Sequence, residues 1–190
     1  MEDKKHPLTS EESLQIIAKM IKTAQGNFRD GSFYFIFWGW IAAVASLAQF
    51  YLTIFTDFNA PYLVWLIGIP GWIITMLYGY RQSKRETVKT YSDTLIMWTW
   101  IGFTFSILVV IFAGRHINYQ ITPLIMLFVG LCTFISGLII RFKPLIIGGS
   151  SFWIFTPITF YLPMEYSSLI MAIAILFGYL IPAYILKKQN

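Results

Sequence analysis

The chain carries little charge for its length. Only 12% of its 190 residues are charged, whereas 57% are hydrophobic, and the mean hydropathy is +0.65. Soluble domains average about 25% charged residues, so this chain lacks the polar side chains needed to cover a surface that faces water. The composition excludes an ordinary soluble domain and predicts an integral membrane protein.

Residues that carry out chemistry are also scarce. The sequence has a single cysteine, Cys132, so an intrachain disulfide is excluded. Cys132 lies in an apolar run. The two histidines, His6 and His116, lie in the N-terminal tail and in a loop, and no cluster of His, Cys, Asp or Glu could hold a metal or a haem. Ser150 and Ser151 have no base within reach. We therefore expect no catalytic residue, no metal, no cofactor and no enzymatic activity.

Six apolar runs are long enough to cross a bilayer, which takes about 20 helical residues per crossing. We predict an all-α integral membrane protein with a cytoplasmic segment at 1–31, a membrane domain at 32–190 and transmembrane helices at 33–55, 61–80, 94–113, 121–140, 145–162 and 167–186. None of these runs contains Asp, Glu, Lys, Arg or His. Proton relays, ion-coupled transport and voltage sensing usually need such groups within the membrane, so these functions are disfavoured.

The distribution of lysine and arginine predicts the orientation of the chain. All of the 14 basic residues except Arg115 lie on one side of the six predicted helices. Cytoplasmic loops of membrane proteins carry an excess of basic residues, so we predict that both termini are cytoplasmic. The net charge of +5 does not indicate nucleic-acid binding, because the basic residues flank apolar runs and form no stripe with exposed aromatic residues. We therefore expect no nucleic-acid partner.

The segment before the first apolar run is predicted to form a short amphipathic helix. A capping-box pattern at Thr9–Glu12 predicts its start, and Gly26 is predicted to end it. Such a helix could lie at the membrane interface against lipids, or it could dock a cytoplasmic protein partner. The residues expected to make these contacts are the apolar Leu14, Ile17, Met20 and Ile21, at helical spacing, and the basic Lys19 and Lys22 on or beside the other face.

Two tryptophan pairs open the first and third predicted helices. Trp38 and Trp40 form one pair, and Trp98 and Trp100 form the other. Residues two apart point to nearly opposite sides of a helix, so one ring of each pair can face lipid while the other packs inward. The pairs could anchor the helices at the interface, or their inward rings could form a cage for an apolar or cationic ligand. They also suggest an internal repeat of helical hairpins.

Hydroxyl groups, small residues and prolines are scattered through the apolar runs. We expect the hydroxyls to form hydrogen bonds between helices, and the alternative is a polar lining for a solute path. The run Gly148–Ser151 is expected to allow helices to approach closely. Pro70, Pro157 and Pro182 are predicted to kink three helices. The hydroxyl residues are Thr75, Thr99, Thr104, Ser106, Thr133, Ser136, Thr156 and Thr159.

The N-terminal segment up to Phe50 resembles a family of small, uncharacterised six-helix inner-membrane proteins of Bacteroidota-type bacteria. The resemblance rests on Ser13-Leu14, Met20-Ile21 and the run Ser32-Phe33-Tyr34…Trp38-Gly39-Trp40. It implies a location in the bacterial inner membrane. Members of that family are often encoded beside winged-helix regulators, which implies a regulatory link, and the resemblance assigns no catalytic role to any residue.

Two functions of different classes agree with these features. The first is a non-enzymatic interaction or regulatory component of a membrane complex, with a protein partner on the cytoplasmic side. The second is a small channel or carrier for an uncharged or apolar solute or a lipid, working as a homo-oligomer. The absence of intramembrane ionisable groups and the docking-capable N-terminal helix favour the first.

Overall fold

Every regular element that the structure describes is helical, which confirms the predicted all-α class. The computed structural model describes residues 10–84 and 91–188, with side chains from Ser32 onward except at position 83. Two 3₁₀ segments and one π-helical turn, at Leu176–Leu180, lie between the α-helices. The α-helices are α1 (Ser10–Phe55), α2 (Gly68–Ser83), α3 (Tyr91–Phe112), α4 (Ile121–Ile139), α5 (Lys143–Tyr161), α6 (Ser167–Ile175) and α7 (Ile181–Lys188).

Most of these helices are long and apolar enough to cross a membrane. The spanning segments among the described residues are Ser32–Phe55, Pro61–Gln82, Tyr91–Phe112, Ile121–Ile139 and Met164–Lys188. They match five of the predicted runs to within one helical turn. The sixth run, 145–162, corresponds to the helix α5, which is not among the spanning segments. This architecture is that of a membrane-embedded protein.

The first helix is longer than the sequence suggests. We predicted a separate N-terminal helix that ends at Gly26, whereas α1 continues through Gly26 and through residues 27–31 to Phe55, over 46 residues. The prediction of a stop at Gly26 was therefore wrong. A single glycine in a helix interior costs only about 1 kcal/mol relative to alanine, which does not break a helix that continues on both sides.

Pro182, one of the three prolines predicted to kink helices, follows the π-helical turn through which α6 passes into α7. Pro182 has no N–H group, so it cannot donate the helical hydrogen bond to the carbonyl of Gly178, four residues earlier. The chain takes a wider π turn at Leu176–Leu180 and then continues as α7. Of the other two prolines predicted to kink helices, Pro70 lies in the first turn of α2, and Pro157 lies inside α5.

A close backbone contact joins α5 to this π turn. A Cβ atom built on Gly148 would overlap the carbonyl oxygen of Gly178, and a Cβ atom on Gly178 would lie 2.7 Å from the carbonyl oxygen of Gly148. Only glycine on both sides permits this reciprocal approach. The contact confirms the expected role of Gly148 in close helix packing.

The same helix α5 lies against α4 along its whole length. Gly137 of α4 meets the backbone of Ile146, and Gly149 of α5 meets the backbone of Phe134. The numbers in the two pairs rise on one helix as they fall on the other, so α4 and α5 are antiparallel. Phe152, fully buried, fills the space between α4 and the π turn.

The helix α1 packs beside this core, antiparallel to α6 and α7. Gly39 lies against the side chains of Tyr179 and Leu180. Ala43 and Ser46, one and two turns further along α1, are 1% and 0% exposed. The core of the molecule therefore lies between α1, α4, α5 and the α6–α7 helix.

The antiparallel order separates the bundle into two ends of different charge. We call the end that carries the C termini of α2, α4 and α7 the basic end, and the other end, with the α3–α4 loop, the opposite end. Arg115 lies at the opposite end. The described basic residues at the basic end are Arg81, Lys84, Arg141, Lys143, Lys187 and Lys188.

The Gly148–Gly178 contact leads to a first prediction. We expect Gly148→Ala to lower the free energy of unfolding by about 1–3 kcal/mol, because the added methyl group forces the two backbones apart. Unfolding of the purified chain in mixed micelles, titrated with a denaturing detergent, measures the change.

Gly102→Ala is the matched control. Gly102 lies inside α3, and nothing lies within 4 Å of a Cβ atom built there. Alanine is the better helix former, so this variant should be as stable as the parent chain or more stable. Equal destabilisation by both substitutions would contradict a special role for the α5–π-turn contact.

Candidate functional site

The first tryptophan pair has one ring packed on a neighbouring helix and one ring that is half exposed. The indole N–H of Trp38 donates a hydrogen bond of 3.0 Å to the hydroxyl of Thr75 on α2, and its ring meets Trp72 edge to face. Trp40 is 47% exposed, and its indole N–H donates a hydrogen bond of 2.9 Å to the hydroxyl of Tyr184 on α7. Both hydrogen bonds tie α1 to other helices near the basic end.

The second pair divides in the same manner but in the opposite order. Trp98 is 62% exposed on the surface of α3. Trp100 faces inward, where its ring centroid lies 5.9 Å from that of Phe35 on α1 and 6.1 Å from that of Tyr179 in the π turn. Phe35 and Tyr179 are both 5% exposed, and their rings are 5.6 Å apart. These three rings, the aromatic triad, join α1, α3 and the π turn.

The structure does not bring the two inward rings together. Trp38 belongs to the α1–α2 contact, whereas Trp100 belongs to the aromatic triad. A cage that uses both rings is therefore not formed. The internal repeat is disfavoured too, because the inward ring is the first of one pair and the second of the other.

Sequence reasoning missed the aromatic triad. Tyr179 lies within the sixth apolar run, and Phe35 is one of several aromatic residues at the start of the first run. The only local signal is Gly178 beside Tyr179, which permits a bulky ring to lie next to a close helix contact. Which ring of α3 meets it depends on tertiary packing.

The six N-terminal contact residues fall on the part of α1 whose side chains the structure does not describe. Their backbone is helical as part of α1. Their contacts with lipid or with a partner remain predictions. These residues are Leu14, Ile17, Lys19, Met20, Ile21 and Lys22.

The hydroxyl groups of the membrane helices form fewer bonds between helices than we expected. Thr75 is the acceptor for Trp38 of α1, which is a bond between helices. Thr99, Thr104 and Thr159 instead donate to carbonyl groups of their own helices, and so does Ser106. A hydroxyl in a helix can reach the carbonyl three or four residues earlier, which satisfies the donor without a neighbour.

Four buried hydroxyls have no hydrogen-bond partner within the described residues. Their oxygen atoms lie on α1, α4 and α5 and are buried from solvent. A buried hydroxyl without a partner costs about 1–3 kcal/mol, so each is a position where a water molecule or a polar ligand atom would stabilise the fold. The hydroxyls belong to Ser46, Thr133, Ser136 and Thr156.

Chemical groups other than hydroxyls are sparse in the bundle. Cys132 is 7% exposed, and its sulfur lies 3.9 Å from the carbonyl oxygen of Thr99 on α3. Among the residues whose side chains the structure describes, no group of three or more His, Cys, Asp or Glu could bind a metal ion. The described bundle thus offers neutral hydrogen-bonding groups and aromatic rings.

The two tryptophans of α3 lead to a second prediction. Trp100→Ala should lower the free energy of unfolding by on the order of 2 kcal/mol, because the substitution leaves a cavity in the aromatic triad. Removal of apolar surface from water does not drive packing between membrane helices, so it adds nothing to this loss. Trp98→Ala, the control on the same helix, should change it by less than about 0.5 kcal/mol. Unfolding in mixed micelles measures both, and a larger loss at position 98 would contradict the described packing.

Comparison with known proteins assigns the chain to no family. No family model matches it, and no curated protein and no solved structure is significantly similar to it.

Proposed function

We propose that the protein is a non-enzymatic component of a membrane complex that docks a cytoplasmic protein through the N-terminal part of α1. The supporting observation is the continuity of α1. The spanning segment Ser32–Phe55 and the preceding residues 10–31 belong to one uninterrupted helix.

The length of α1 favours a helix that leaves the membrane. Its 46 residues correspond to about 69 Å at 1.5 Å per residue, more than twice the roughly 30 Å of a bilayer core. An uninterrupted helix leaves the bilayer along its own axis, and it cannot also lie flat in the interface. The residues before Ser32 then project about 33 Å into the cytoplasm.

An amphipathic helix in this position needs a partner. Leu14, Ile17 and Ile21 recur at spacings of three and four residues, so the helical backbone places them on one side. On a helix that lies in the interface, lipid covers such a stripe. On a helix that projects into water, burial against another protein is the favourable solution. The projection therefore favours docking over anchoring.

The topology that accompanies this function has six spans and cytoplasmic termini. The antiparallel contacts of α5 with α4 extend from Gly137 near the basic end to Phe152 and beyond. If α4 crosses the bilayer, α5 crosses the same depth in the opposite direction. The concentration of basic residues at one end supports a cytoplasmic basic end, and the resemblance of the N-terminal segment supports the bacterial inner membrane.

Membrane lipids are the proposed surroundings of α2 and α3. Only 6% of the spanning window of each is buried inside the chain. Met76 of α2 and Val109 of α3 are 67% and 66% exposed. A second copy of the chain could cover the same surfaces in a homo-oligomer, and either neighbour leaves the projecting part of α1 free to dock its partner.

A carrier for an uncharged solute is the second candidate function. The observation in its favour is the set of buried hydroxyls without partners, among them Thr133 and Ser136 of α4. The direct backbone contacts of α5 with α4 and with the π turn oppose it, because they leave no space for a solute between these helices. The docking proposal is therefore the stronger.

Photocrosslinking in cells tests the docking proposal. A photoreactive amino acid at Ile17, on the apolar side of the projecting helix, should give one discrete protein adduct on illumination. The same amino acid at Lys19, on or beside the polar face, should give much less of it. Ile21→Asp should reduce the adduct from position 17 several-fold, because a charge in the apolar stripe, one turn from the crosslinking position, weakens docking. Recovery of lipid adducts alone from position 17 would reject docking in favour of interfacial anchoring.

Labelling with a membrane-impermeant thiol reagent tests the six-span topology. In a Cys132→Ser background, we expect Glu165→Cys to react in intact cells, because it lies beyond α5 at the opposite end. Lys143→Cys should react only after the membrane is permeabilised. Reaction of both cysteines from the same side would show that α5 does not cross the membrane, and the six-span proposal would be wrong.

A further inference from the structure

A small cavity with a polar lining lies at the opposite end of the bundle. Its volume is about 140 Å³, and it opens between the α3–α4 loop and the α5–α6 connection. Asn118, Gln120 and Thr122 line one side, and Thr159 and Ser167 line the other. All residues that line it are uncharged. Pockets for drug-sized ligands have volumes of about 300–1,000 Å³, so this cavity fits a molecule of only a few heavy atoms.

The inner wall of the cavity contains buried hydroxyls with free hydrogen-bonding capacity. Ser167 and Thr159 are each 4% exposed. The hydroxyl of Thr159 donates to the carbonyl of Thr156 at 2.6 Å, so its lone pairs are free to accept. The hydroxyl of Ser167 has no hydrogen-bond partner in the described part of the chain. A nearly buried hydroxyl that lines a cavity without a partner points to a polar ligand atom in that cavity.

One helical turn deeper, a second hydroxyl follows on α5. Thr156 precedes Thr159 by three residues, so the two lie on the same face of α5. Its hydroxyl is buried and has no partner among the described residues, and the residue is 1% exposed. Thr156 does not itself line the cavity, but it places a second buried hydroxyl one turn below Thr159 on the same face of α5.

The backbone around the cavity supports a polar occupant. The helix α4 begins here without a side-chain cap. The N–H of its first residue, Ile121, donates to the carbonyl of Tyr119 at 2.7 Å, and the next N–H groups have no acceptor within the helix. Asn118 and Tyr119 both have positive φ angles, 50° and 58°. Two consecutive residues in this sparsely populated region hold the loop over the cavity.

We propose that the cavity binds a small, uncharged polyol of the glycerol class. The hydroxyls of Ser167 and Thr159 and the amide of Gln120 supply both donors and acceptors, which suits ligand hydroxyls that also do both. Phe160 and Leu162 supply apolar surface for the carbon chain. The lack of a charged lining side chain argues against an ionic ligand. The polyol could be free in solution or could be the glycerol headgroup of a lipid.

Ligand-observed NMR with the full chain in phosphatidylcholine nanodiscs tests this proposal. Saturation transfer to glycerol should be saturable, and 1-propanol, which has the same carbon chain and one hydroxyl, should bind much more weakly. Ser167→Ala and Thr159→Val should each weaken glycerol binding about five- to tenfold, the loss of one hydrogen bond. Gln120→Leu, at an exposed position where folding is not at risk, should weaken it to a similar extent.

Thr56→Val is the matched control. Thr56 is an exposed threonine at the same end of the bundle, its hydroxyl bonds to its own helix, and it does not line the cavity. This variant should bind glycerol as the parent chain does. Equal binding of glycerol and 1-propanol, or glycerol binding that none of the three lining variants changes, would overturn the proposal.

Nanodiscs that contain phosphatidylglycerol separate the two sources of the polyol. Loss of free-glycerol binding in these discs, by the parent chain and by Thr56→Val alike, would identify the lipid headgroup as the occupant. Unchanged binding of free glycerol would identify the soluble polyol. The outcome is independent of the crosslinking experiment at Ile17, since the two sites lie at opposite ends of the bundle.

Discussion

The direct contact between the backbones of α5 and the π turn sets the spacing of the helices around it. In lipid, helices gain nothing from removing apolar side chains from water, so close packing must hold them together. Gly148 and Gly178 bring two backbones into contact, and Gly137 and Gly149 do the same between α4 and α5. The position of α1 follows, because Gly39 lies against the side chains of the π turn. The outer helices α2 and α3 contact the core in part through aromatic rings: Trp72 of α2 meets Trp38 of α1, and Trp100 of α3 meets Phe35 of α1.

The sequence was sufficient to predict helices and insufficient to predict their neighbours. Long apolar runs identify spans, because a bilayer demands a fixed length and lipid tolerates no free backbone groups. Which faces meet is not encoded in hydropathy, since lipid and protein interior are almost equally apolar. The aromatic triad was missed for this reason, and the separate environments of Trp38 and Trp100 could not be foreseen. The length of α1 was misjudged because glycine was given more weight as a helix end than its helix propensity justifies.

The chain divides its hydrogen-bonding groups unevenly along the membrane normal. At the basic end, indole and phenol groups pair with each other between helices, as Trp40 does with Tyr184. In the interior, hydroxyls such as that of Thr133 have no hydrogen-bond partner among the residues whose side chains are described. At the opposite end, Ser167 lines a cavity. The helix α1 links the basic end to the proposed docking segment. Trp38 and Trp40, which bond to α2 and α7, and the residues that precede Ser32 belong to this one helix.

The π turn also determines how this helix responds to a change in its length. Each residue added to an α-helix rotates everything beyond it by about 100°, and a π turn absorbs one such extra residue. Removal of a single residue from Leu176–Leu180 would therefore leave a regular helix with α7 in about its present rotation. A further residue that the turn could not absorb would instead rotate Ala183 and Leu186, both buried, out of the core and Tyr184 away from Trp40. The π turn is thus the place where this helix accommodates a change of one residue in length without losing its contacts with α1.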